Sequence, residues 1–100
     1  MAKIKITVLK RMFNPDLSKE YALPGNVPCE HFSEGQEFFV RGLAKPEGFC
    51  DWAWDDIHKS VMTLFFGGDF SCWMKKGNTI VVCCTDGIRP VVFGLERIDG

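Results

Sequence analysis

The run Thr79-Ile-Val-Val-Cys-Cys-Thr-Asp-Gly-Ile-Arg-Pro-Val-Val-Phe93 limits the fold of this chain more than any other stretch. Two apolar, β-branched segments flank Asp86-Gly87, a residue pair favoured in tight hairpin turns. The run reads as strand, turn, strand, with strands at about 79–85 and 90–98. Arg89-Pro90 argues for a loop longer than two residues. Side chains alternate between the two faces of a strand. Cys83 and Cys84 therefore point to opposite sides of the sheet, one toward the core and one toward solvent or a partner. A regular strand cannot aim both thiols at one ligand, and a disulfide between them would be strained and labile.

The remaining elements follow from periodicity. Ile4, Ile6 and Val8 alternate with Lys3, Lys5 and Thr7, the signature of a half-buried strand. Asn14-Pro15-Asp16 ends it, and residues 15–35 read as a long ordered loop with one helical turn near Leu17–Tyr21. Glu37–Leu43 reads as a second strand, and Lys45-Pro46-Glu47-Gly48 fits a type I turn. Asp51 is an expected N-cap. From there Trp54, Ile57, Val61, Leu64 and Phe65 recur at spacings of three and four, forming one apolar helical stripe. Gly67-Gly68 supplies a left-handed stop. The order of elements predicts one α+β domain over residues 1–100, a mainly antiparallel sheet of about four strands with one amphipathic helix packed on a face.

Composition bears on compartment and partners. The formal net charge is -1 and the basic residues are scattered, which argues against a nucleic-acid surface. No apolar stretch approaches the ~20 residues of a membrane span. The N-terminus alternates and does not form a signal-peptide core, so a cytoplasmic location is expected. Nine Phe and three Trp against one Tyr is more apolar surface than a small domain readily hides, which favours a homo-oligomer.

Five cysteines is an odd count, and a reducing compartment argues against a disulfide scaffold. The thiols are then packed small hydrophobes, metal ligands or redox groups. No Cys-x-x-Cys pair is present, so neither a zinc knuckle nor a thioredoxin-like motif is supported. Cys29 and His31 are two apart and share a side if extended. Cys29, Cys50 and one of Cys83 or Cys84 can then build a site for a thiolate-bound metal such as zinc or iron, or a redox site. Asp86 and Arg89 flank the hairpin turn. They read either as an anion-binding pair beside an aromatic pocket containing Trp54, or as a turn aspartate capping its own backbone with Arg89 in a surface ion pair. Asp55, Asp56 and His58 read as a solvated helix face.

Several stretches together resemble a family of small proteins, roughly a hundred residues long, found in anaerobic bacteria and archaea and carrying a C-terminal CCTDGxRPV motif. They are Lys5-Ile-Thr-Val-Leu-Lys10, Cys29 followed by Gly35-Gln-Glu-Phe38, Lys45-Pro-Glu-Gly-Phe-Cys50, Trp52-Ala-Trp54, Phe66-Gly-Gly68 and Cys83-Cys-Thr-Asp-Gly-Ile-Arg-Pro90. The resemblance implies that Cys29, Cys50, Cys83 and Cys84 belong to the motif while Cys72 and His31 fall outside it, which points to an all-thiol site. It brings no activity with it. The expectation is a small cytoplasmic protein with a cysteine-based metal or redox site. The alternatives are a homo-oligomeric interaction module with packed thiols, and a small-molecule binder using Asp86 and Arg89.

Overall fold

The computed structural model describes residues 2–99. Six elements follow one another: β1 (Lys3–Arg11), α1 (Pro15–Tyr21), β2 (Glu37–Val40), α2 (Asp51–Phe65), β3 (Thr79–Cys83) and β4 (Val91–Ile98). The four strands form one antiparallel sheet in the order β2-β1-β4-β3. This is the α+β architecture expected from the pattern.

Alternation decides which face is buried. Ile4, Ile6 and Val8 of β1, Val91, Phe93 and Leu95 of β4, and Ile80 of β3 all lie on one face. The stripe of α2 covers that face with Ile57, Val61 and Leu64, each fully buried. Such side chains contribute about 1.5–3 kcal/mol each on burial, so this sandwich is the main stabilising layer. The opposite face carries no helix among the described residues. It carries ion pairs from Lys5 to Glu96 (3.6 Å) and Glu37 (4.0 Å).

The ends of α2 show where local chemistry departs from the expectation. The N-cap is Cys50, not Asp51, and no side chain caps the helix. The Asp51 carboxylate is instead engaged by the Lys45 ammonium. The preceding turn also closes one residue later than expected. The Phe49 N–H donates to the Pro46 carbonyl (3.2 Å), and Gly48 takes φ +80° at the third position, where a type II turn requires glycine. At the other end, the Gly68 N–H donates to Thr63 O and the Gly67 N–H to Leu64 O, with Gly67 at φ +92°. That pair of bonds is a Schellman stop.

Two further differences shape the site. The expected second strand ends at Val40 instead of Leu43. β3 and β4 are joined by residues 84–90, and Gly87 does not take a positive φ, so the type I′ turn suggested by Asp-Gly is not formed. The segment that follows β1 braces the long loop instead. The Met12 N–H donates to Pro90 O (2.7 Å), the Asn14 N–H to Ile88 O (2.9 Å), and Asn14 Nδ2 to Gly87 O (2.7 Å). The register between β1 and β4 shifts between Val8 and Lys10. This bulge reverses the alternation and brings Arg11 opposite Val91, a core-face residue.

Candidate functional site

Three chain segments meet at the N-terminal end of α2: residues 29–32 of the long loop, residues 49–53, and the hairpin loop 84–91. Between them lies a cleft of about 270 Å³. Cys29 and His31 come from the first segment, Cys50 and Trp52 from the second, and Cys84, Asp86 and Arg89 from the third.

Aromatic packing fixes the floor. Phe32 and Phe49 are buried and pack on Phe93 with ring centroids 5.2 and 5.4 Å apart, and on each other at 5.1 Å. Each such pair adds about 0.5–1.5 kcal/mol beyond burial. The rings anchor one residue in each of two cleft segments to the central strand β4. Arg11, turned to this face by the bulge, donates from Nη1 to the Cys29 carbonyl (3.0 Å). Its Nε is buried without a partner among the described residues. His31 Nε2 lies 3.1 Å from Gly48 O. A carbonyl only accepts, so Nε2 carries a proton in this contact.

Strand alternation separates the vicinal cysteines as expected. Cys84 is buried at 8% exposure and lines the cleft, whereas Cys83 is exposed. Cys83 lines a different groove, between β3 and the Asp56–Thr63 stretch of α2, beside Phe70 and Trp73. The Cys84 N–H donates to Val91 O (3.0 Å), and the Val91 N–H donates back to Cys84 Sγ (3.2 Å). A sulfur thus stands where a carbonyl would normally close the ladder. Cys29 and Cys50 are half-buried, and Cys72 is exposed and outside the cleft.

Thr85 and Asp86 of the hairpin motif hold the loop in place. Thr85 clasps the loop to α2. Its N–H donates to Asp56 Oδ2 (2.7 Å), its hydroxyl donates to the same carboxylate (3.0 Å), and Trp52 Nε1 donates to its oxygen (3.1 Å). Asp56 is therefore a tether and not a free surface acid. Asp86 Oδ1 accepts the N–H groups of Ile88 and Arg89, both at 2.9 Å, so Asp86 does cap its own turn. Its Oδ2 lies 3.7 Å from Arg89 Nε. Burial works to raise the Asp86 carboxyl, but the two amides and the Arg89 guanidinium outweigh it and hold the carboxyl below its ordinary range.

The sequence-derived site residues divide accordingly. Cys29, Cys50, Cys84, Asp86 and Arg89 share the cleft. Cys83 lies elsewhere, and Trp54 packs, partly buried, against Phe49 and His58, with ring centroids at 6.1 and 5.2 Å. The indole at the cleft is Trp52. Positions 52 and 54 are about 200° apart around a helix. Trp54 belongs to the apolar stripe, and that assignment already turned it away from the cleft. No three His, Cys, Asp or Glu side chains among the described residues converge as a metal-holding group. No helix among the described residues is long and apolar enough to cross a membrane. Comparison with family models, with curated proteins and with solved structures gives no match.

Proposed function

We propose that this protein acts on a small molecule through the thiols of the cleft. The observation that supports this is the gathering of Cys29, Cys50 and Cys84, from three separate segments, around one 270 Å³ space that also holds Arg89. Cys29 and Cys50 are half-buried residues of the cleft lining, and Cys84 is its buried cysteine. The chemistry is thiol–disulfide exchange. One cleft thiolate attacks a sulfur of a small disulfide, the disulfide bond breaks, and the released thiolate takes up a proton. A second cleft thiolate then displaces the second half, and two electrons have passed from the protein to the ligand.

The test uses the Cys72→Ser/Cys83→Ser double variant, which retains only the cleft thiols. Treatment of the folded protein with neutral bis(2-hydroxyethyl) disulfide, followed by thiol counting and peptide mapping, should show mixed disulfides on Cys29 or Cys50 and then the loss of two thiols per chain. Thiols that stay unmodified until the chain unfolds would support the packed-thiol alternative instead.

Soft-metal binding by a pair of these sulfurs, completed by ligands from solution, is the second reading, since no three such donors among the described residues converge. It is favoured by the donor set and by the Val91 N–H on Cys84 Sγ, the kind of contact that orients and tunes a metal-bound thiolate. Metal analysis of anaerobically purified protein tests it. A metal content far below one per chain in folded protein would remove it.

A further inference from the structure

Arg89 and the first turn of α2 bring hydrogen-bond donors to the cleft. Asp86, the carboxylate in its wall, gives Oδ1 to two backbone amides, and its Oδ2 lies 3.7 Å from Arg89 Nε. The terminal Nη groups of Arg89 have no acceptor among the described residues. Trp52 and Ala53 also line the cleft, and as second and third residues of the uncapped helix α2 their N–H groups have no side-chain acceptor either. Arg11 adds a second positive charge behind Cys29, through its bond to that carbonyl. A cationic ligand would leave these donors unpaired as it displaced water from them, and a neutral one would pair them without the charge assistance that an anion brings.

We infer that the cleft selects small anionic ligands, of the class of carboxylate-bearing disulfides, with Arg89 as the group that holds the anion. This rests on the thiol-cleft reading above and names its substrate class. The thiols supply the attacking sulfur. Arg89 holds the carboxylate so that the disulfide lies among Cys29, Cys50 and Cys84. Arginine suits this because its planar fork matches a carboxylate. The exchange step is unchanged: the ligand disulfide is reduced, one protein sulfur is bonded to half of it, and the other half leaves as a thiol.

The experiment compares dithiodiglycolate with neutral bis(2-hydroxyethyl) disulfide on the Cys72→Ser/Cys83→Ser protein, folded and in urea. The folded-to-unfolded rate ratio should be about tenfold higher for the anionic reagent, equivalent to about 1.4 kcal/mol. In Arg89→Ala that preference should vanish while the neutral reagent reacts as before. Asp86→Asn keeps the oxygen that caps the turn but removes the competing charge, so it should raise the preference. An equal ratio for both reagents, or a preference that survives Arg89→Ala, overturns the anionic assignment and leaves the thiol-cleft reading standing. If neither reagent modifies the cleft thiols of the folded protein, both fall.

Discussion

Replacing Cys84 separates a sulfur that is hydrogen-bonded from one that is merely packed. Cys84 is 8% exposed, and its sulfur is the recorded acceptor for the Val91 N–H. Val91 sits opposite Arg11 in a pair flanked by the Met12-to-Pro90 bond, so its N–H faces β3 and not β1. Cys84→Ala removes about one methylene equivalent of burial, roughly 0.8 kcal/mol. It also leaves the Val91 N–H without an acceptor, which costs about 1–3 kcal/mol. The sum is about 2–4 kcal/mol. Cys84→Ser keeps an acceptor at the same place and should cost only about 1 kcal/mol, the usual value of a perturbed hydrogen bond. Serine should therefore be the milder change by about 1–3 kcal/mol, a Tm gap of roughly 5–25 °C for a domain of this size. Burial alone predicts the reverse, because a hydroxyl in an apolar site costs about 1–3 kcal/mol if unpaired. Urea and thermal denaturation followed by circular dichroism decide the order. Alanine proving the more stable variant would show that the Val91-to-sulfur bond contributes nothing.

Two other expectations concern the hairpin loop. Thr85→Val removes the hydroxyl that joins Trp52 to Asp56 while leaving the backbone bond to Asp56, so it should destabilise by about 1 kcal/mol in urea titration and alter Trp fluorescence. A wild-type fluorescence spectrum and midpoint would contradict the clasp. Asp86 sits below its ordinary range in the folded state, so the unfolded chain takes up its proton first as pH falls. Its stabilising effect is complete above the unfolded pKa, near 4, and is lost as pH drops through the folded value. Asp86→Asn should flatten that part of the acid unfolding curve. An unchanged acid limb would contradict this account.

Much of this structure could be read from the amino-acid pattern, and the misses have physical causes. Period-two alternation located β1, the β-branched runs flanking Asp86-Gly87 located β3 and β4, and period-3.6 recurrence located α2. The same alternation separated Cys83 from Cys84 and left Cys84 to meet Cys29 and Cys50. Local competition decided the boundaries. Lys45 took the Asp51 carboxylate and left Cys50 at the cap, and Gly48 moved the turn by one residue. The β1 bulge was not legible, since no residue in Val8-Leu9-Lys10 marks it. It arises from pairing with β4, and with it the placement of Arg11 behind Cys29. The role of Thr85 was hidden for a similar reason, because its partners Asp56 and Trp52 lie far away in sequence. The uncommitted Trp52 could have been found by rotating the helix stripe, which puts Trp54 on the core side.

The central claim is that Cys29, Cys50 and Cys84 share one cleft while Cys83 and Cys72 do not. Dibromobimane becomes fluorescent only when it bridges two nearby thiols. Applied to the folded, reduced protein and followed by peptide mapping, it should yield bridges drawn from Cys29, Cys50 and Cys84, and these should disappear in urea. Bridges dominated by Cys83 or Cys72, or no bridge at all in the folded protein, would contradict the account.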